Sequence, residues 1–351
     1  RRLIASRLFF YYTPFMTSLF SPKRIPKVEL HRHLDCSWRY STLVELAKEF
    51  KLIDSFEYSE VESKLLVTSP MTDLESVLKK FSRAQQLLKN EAVLTRLTFE
   101  TLEDAYNDGV RILELRFSLN FIQGGSGLSY DKIHGALLKG IEQAQKKYPI
   151  ATGLISIFQR GQSKEHLQKI LDFTLQNKST FIAADLADNE AAADPNSFKW
   201  LFDKIYEAGL PITIHSGETP DNKAPQRVKE AIEILHATRI GHGIQIVQNQ
   251  NVIDFVKSKN VHLEICPISN ALTQAFINRK NHPFLDLYKT GVSVSINSDD
   301  PGIFNTYLSD DYRYLIHNFG LTTEDFAKIN RLAYDASFIL DAEKKRVMPN
   351  I

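Results

Sequence analysis

Two hydrophobic rhythms alternate along most of this chain. Short, mostly apolar runs recur between longer segments whose apolar positions fall three and four residues apart, the spacings of a strand and of an amphipathic helix. The runs predict strands at Lys27–Asp35, Arg111–Phe117, Thr152–Phe158, Phe181–Leu186, Pro211–His215, Thr238–Gly241, Val261–Cys266 and Ser293–Asn297. Helical patterns separate them, for instance over Ser163–Gln176, Ser197–Ala208, Gln226–Leu235 and Asn251–Ser258. Strict alternation of this kind implies a parallel sheet, and eight units fit a closed (β/α)8 TIM barrel in one α/β domain. An open doubly wound sheet would place a glycine-rich phosphate loop after an early strand, and none is present.

One interval breaks the rhythm. From Ser41 to about Tyr106 the pattern is helical, with Leu43, Leu46 and Ala47 on one face and Leu74, Val77, Leu78 and Phe81 on another. This predicts a helical insertion after the first strand, at the end of a barrel where such insertions form a wall or lid. Residues 1–20, basic and aromatic, are expected to lie outside the fold, either as a targeting segment or as an extension upstream of Met16. Residues 21–351 then form the single domain.

Bulk properties narrow the function. A formal charge of +1 over 351 residues gives no electrostatic case for nucleic acid or an anionic membrane as partner. No run reaches the roughly 18–20 apolar residues of a membrane span. The two cysteines, Cys36 and Cys266, are far apart and form no CxxC pair, which fits a reducing compartment and a cytoplasmic location. A monomer is the default expectation.

The chemistry sits where the strand runs end. Side chains on a strand alternate, so His31 and His33 in Lys27–Asp35 point one way, with Asp35 on the same face and Arg32 on the other. Later runs end in Ile214-His215-Ser216-Gly217-Glu218, Gly241-His242-Gly243 and Ser298-Asp299-Asp300-Pro301. His31, His33, His215 and Asp299 are the candidate metal ligands, because imidazole and carboxylate groups with an open position suit a catalytic zinc site. Glu218, His242 and Asp300 remain beside them as acid or base groups. Capping of a following helix competes as the explanation for Glu218 and for the Asp299-Asp300 pair, and loop packing for His242.

Taken together and in this order, H-x-H-L-D, H-S-G-E, G-H-G and S-D-D-P resemble the adenosine deaminase family of zinc hydrolases, over nearly the whole chain from about Pro26. The resemblance implies one Zn2+ per chain and hydrolytic deamination of adenosine or 2'-deoxyadenosine by metal-activated water attacking purine C6. It makes Glu218 the acid that protonates ring N1, His242 the group that orients or deprotonates the water, and Asp300 the partner of N7 or of the water. Substrate contacts fall to His33, Asp35, Asp188 and Asp300, with Asp35 on the ribose and the Asp188 backbone N–H on purine N3. Aspartate at position 35 favours a nucleoside, since adenine deaminases in this family typically carry glutamate there.

The chain also departs from the family pattern. Cys36 and Asp188 stand where glycines are usual, and Leu119 replaces a proline after Glu114-Leu115-Arg116-Phe117-Ser118. Other 6-substituted purines, such as N6-methyl-AMP, aminodeoxyfutalosine or adenine, are therefore alternative substrates. A metal-stabilised binding protein without catalysis is the alternative of a different class. Phe56, Leu65, Leu66 and Phe81 are candidates for apolar substrate contacts, with core packing as the competing explanation for each. Arg116 reads as a buried ion-pair partner of a neighbouring strand ahead of a substrate role, and Arg160, ending the third strand, reads as structural ahead of binding a substrate phosphate or carboxylate.

Overall fold

The computed structural model describes residues 21–71, 74–276 and 281–351. The expected extension at 1–20 and the side chains of Leu74 and Leu78 lie outside this description. Eight strands form one sheet in sequence order: β1 Lys27–His33, β2 Val110–Phe117, β3 Ala151–Gln159, β4 Phe181–Ala187, β5 Ile212–Ser216, β6 Arg239–His242, β7 His262–Ile265 and β8 Ser293–Ile296. Each neighbouring pair is parallel. Both faces of the strands are covered, so nearly every strand residue is buried, the polar and charged ones included.

The barrel closes at its β8–β1 seam by an irregular route. Asn297 Oδ1 accepts from Leu30 N–H at 2.8 Å, and the backbone of Asp299 bonds His31 and His33. Asp299 is thereby stitched to the first strand, beside both of its histidines.

β1 itself departs from simple alternation. A register irregularity falls between Glu29 and Arg32, and the two side chains approach each other at 3.5 Å on the side away from His31 and His33. The strand also ends at His33 rather than Asp35. Leu34–Cys36 is a 3-10 turn, so Asp35 reaches the mouth of the barrel from a turn and not from strand alternation.

Among the described residues, four α-helices lie between β1 and β2: α1 Tyr40–Glu49, α2 Tyr58–Leu65, α3 Leu74–Gln85 and α4 Glu91–Asn107. Asn90 caps α4 by accepting from Val93 N–H. At the foot of the barrel, Val28, Leu30, Ile112 and Ala151 pack with Tyr334, Ile339 and Met348 from the C-terminal segment. The same segment supplies the Ser337 hydroxyl and the Phe338 N–H to Glu114 inside the barrel.

Candidate active site

The C-terminal strand ends converge on a cavity of about 360 Å³. His31 and His33 come from β1, His215 from β5, His242 from the last position of β6, and Asp299 and Asp300 from the segment after β8. Glu218 follows β5. The ligating atoms of His31, His33, His215 and Asp299 all lie within 4.8 Å of one another. Asp299 Oδ1 stands 3.2 Å from His31 Nε2 and 3.3 Å from His33 Nε2, and the Nε2 atoms of His33 and His215 are 3.2 Å apart.

A cation fits this cluster on the grounds of its own hydrogen bonding. Glu264 faces His31 Nδ1 at 2.8 Å and Asp185 faces His215 Nδ1 at 3.0 Å. A carboxylate on Nδ1 holds the proton there and turns the lone pair of Nε2 inward, the usual support of a metal-bound imidazole. His31 Nε2 is buried and makes no hydrogen bond, so a nitrogen lone pair and a carboxylate oxygen face each other without a proton between them. Ser269 donates to Asp299 Oδ2 at 2.7 Å, which leaves Oδ1 for the imidazoles. Burial holds the His33 imidazole well below the usual histidine range, and it does the same to His31 to a lesser degree; neutral imidazole is the ligating form. Burial alone would raise the Asp299 carboxyl, but His31, His242 and His33 together keep it well below the ordinary carboxylate range.

Beneath this cluster the barrel interior is filled by charge. Arg116 pairs with Asp185 at 2.9 Å and with Glu264 at 2.6 Å, while Arg239 pairs with Glu264 at 2.7 Å and Glu114 at 2.6 Å. Thr213 donates to Glu264 as well. Both carboxylates that orient the histidines are thus tied to Arg116. Burial would raise Glu264, but the two guanidinium groups outweigh it and hold the carboxyl well down. The close packing extends to β6: a Cβ on Gly241 would lie 2.8 Å from His31 Cε1, so a side chain there would displace the imidazole.

The remaining polar groups stand around the cavity. His242 Nε2 is 3.6 Å from Glu218 Oε2 and 3.9 Å from Asp299 Oδ2. Glu218 accepts from the Thr273 hydroxyl and does not cap the next helix, whose N-cap is Lys223. Asp300 occupies the N-cap of Pro301–Phe304, yet its side chain makes no capping bond. Burial, reinforced by Asp299 and Asp35, pushes the Asp300 carboxyl well above its ordinary range. His242 and Asp299 both have φ of +63°, a left-handed conformation that side-chain-bearing residues seldom adopt.

Asp188 and Cys36 occupy their glycine-like positions differently. Asp188 has φ of +82°, and its carboxylate folds back to accept from Asn189 N–H. Cys36 lies in the 3-10 turn without a positive φ, buried against the cavity. Of the apolar candidates, Phe81 lines the cavity, Leu65 and Leu66 are fully buried core, and Phe56 is 65% exposed beside Lys48. Arg160 is bound to the carbonyls of His215 and Asp188 and does not line the cavity.

Several functional contacts fall on residues that sequence reasoning assigned no role. Glu190 accepts from the N–H groups of Gly217, Glu218 and Thr219, and so fixes the loop that carries Glu218. Gln85 of α3 donates to Asp35 Oδ2 at 3.3 Å, and both Gln85 Oε1 and Asp35 Oδ1 are buried at the cavity without a partner. Glu264 and Asp185, charged residues inside apolar runs, were visible in sequence as anomalies; Gln85 gave no such signal.

Comparison with known proteins agrees with this geometry. The family model for adenosine deaminase matches residues 26–351. Adenosine deaminase from Plasmodium gallinaceum is 33% identical over 327 residues, which cover 93% of this chain and 90% of the relative. The structure of adenine deaminase from Arthrobacter aurescens superposes with a TM-score of 0.83 at 25% identity, covering 93% of this chain and 97% of that one. The N6-methyl-AMP deaminase of Arabidopsis thaliana superposes with a TM-score of 0.78 at 27% identity, covering 93% and 96%. This chain belongs to the adenosine deaminase family and is a hydrolytic deaminase.

Proposed function

We propose that the chain deaminates adenosine and 2'-deoxyadenosine, and that His31, His33, His215 and Asp299 hold one zinc ion. The observation that carries the substrate class is the make-up of the cavity wall. Its lining includes, among the described residues, no lysine or arginine. An uncharged sugar is compatible with such a wall, whereas a 5'-phosphate would find no cationic partner in it. The unpartnered oxygens of Asp35 and Gln85 are acceptors placed for sugar hydroxyls, which favours a nucleoside over a free base.

When bound, zinc supplies a water acidified to near neutral pKa. Each step at the purine is served by a residue of this chain. His242 orients the oxygen that adds to C6. Electron density shifts onto ring N1, where Glu218 delivers a proton. Asp300, whose carboxyl is pushed up by burial and then by Asp299 and Asp35, is the group that faces N7 as a donor. As the C6–N bond breaks, the proton of the added hydroxyl passes to the departing nitrogen, so that ammonia leaves and a carbonyl remains at C6; the water's other proton restores Glu218, and Glu190 keeps the Glu218 loop in place throughout.

The test is release of ammonia from adenosine, 2'-deoxyadenosine, adenine, AMP, aminodeoxyfutalosine and N6-methyl-AMP, with methylamine followed for the last. The two nucleosides are expected to turn over fastest. A preference for adenine or for a nucleotide would overturn the substrate assignment and leave the deaminase assignment in place.

A further inference from the structure

We infer that Asn270 and His282 are positioning residues that fix the proton of His242 on Nε2. In the resting enzyme this imidazole then donates a hydrogen bond toward the reacting oxygen and does not take a proton from it. The chemical consequence rests on the deaminase reading above; the proton assignment does not.

The backbone N–H of Phe284 meets His282 Nδ1 at 3.0 Å, and a backbone N–H can only donate. His282 Nδ1 therefore carries a lone pair, and the neutral ring has its proton on Nε2. Burial, with His242 nearby, pushes this imidazole down to about 3, in keeping with the neutral form. His282 Nε2 lies 3.3 Å from the Asn270 side chain, so the amide must present Oδ1 to it. Its other end, the NH2 group, then faces His242 Nδ1 at 3.1 Å and donates to it. His242 Nδ1 is an acceptor by this chain of necessity, and its proton sits on Nε2.

Among the described residues, no other arrangement satisfies these groups. His242, Asn270 and His282 are all buried, and the rings flanking His282 are Phe276 and Tyr314. Reversing the amide would set its NH2 group against the Nε2–H of His282, two donors facing each other with no acceptor between them. The protonated Nε2 of His242 points into the space bounded by Glu218 and Asp299. An oxygen placed there is held as an acceptor, and proton delivery to the ring falls to Glu218.

The test is a nitrogen–proton correlation spectrum of the zinc-loaded protein labelled at its histidine nitrogens. The expected pattern for His242 is a protonated Nε2 and a bare Nδ1. Asn270→Asp keeps the side-chain shape but has no N–H to give, so the proton is expected to move to His242 Nδ1. With it kcat should fall on the order of 100-fold, while KM stays within about twofold. His282→Gln can still donate to Asn270 Oδ1 and should keep the wild-type pattern, whereas His282→Phe should lose it. A proton on His242 Nδ1 in the wild type would overturn the inference, and that spectrum decides the matter even where a variant does not fold. An unmoved proton in Asn270→Asp would reduce Asn270 to a packing role and would equally overturn it. If the spectrum is as expected but no nucleoside is deaminated, the functional reading fails and the proton assignment stands.

Discussion

Two layers of buried polar groups are stacked inside this barrel, and they are built on opposite terms. In the lower one, Arg116, Arg239, Glu264, Glu114 and Asp185 satisfy one another, with Arg116 Nε as the exception. In the upper one, His31 Nε2, Asp35 Oδ1 and Gln85 Oε1 are equally buried and have no hydrogen-bond partner. A buried polar atom left open costs free energy comparable to a lost hydrogen bond. The upper layer carries that cost where a ligand would remove it, and the lower layer holds the open groups in position. The two are coupled through Glu264 and Asp185, each bonded to an arginine below and to a histidine above.

The largest effect should come from disarming the open layer alone. Glu218→Gln keeps the shape of the side chain and removes its proton, so kcat is expected to fall by about 10²–10⁴ with zinc content and thermal stability unchanged. Near-normal turnover would remove Glu218 from the mechanism. Striking the closed layer should instead damage both. Glu264→Gln strips the charge from a carboxylate shared by Arg116, Arg239 and His31, and is expected to cost about 3–5 kcal/mol of stability. Zinc affinity should fall about 10–100-fold through the loosened His31. Urea unfolding and zinc competition measure the two, and a loss of stability without a loss of affinity would uncouple the layers.

The smallest effect lies at the foot of the barrel. Lys27 donates to the Asp108 carbonyl from a buried position, and burial, against the pull of Asp108, lowers its ammonium to about 8. The folded chain then releases this proton more readily than the unfolded chain. Stability should accordingly rise as pH climbs from about 8 toward the ordinary lysine range. Lys27→Met should flatten that rise, measured by urea unfolding at each pH, without altering turnover.

Much of the open layer was legible in the sequence, and little of the closed one. His31, His33, His215, His242 and Asp299 lie at the ends of apolar runs, where a polar residue stands out and barrel topology explains its direction. Asp35 was found by its motif, although the strand that was expected to carry it stops at His33. The partners were hidden by distance: Glu264 is 233 residues from His31, and only the register of β7 against the rest of the barrel brings them together. Asn270 lies in the six-residue helix Pro267–Leu272 and His282 in an irregular stretch, both too short for a periodicity to read. Glu29 shows the converse, since strand alternation would have put it on the His31 face and the irregularity in β1 turns it to Arg32 instead.

The most direct test of the account is to remove and restore the metal while following adenosine deamination. Chelation is expected to abolish turnover, and readdition of zinc to recover it in proportion, saturating at about one ion per chain as a single four-ligand site requires. Undiminished turnover by protein shown to hold no metal would contradict the assignment of His31, His33, His215 and Asp299 to a catalytic ion.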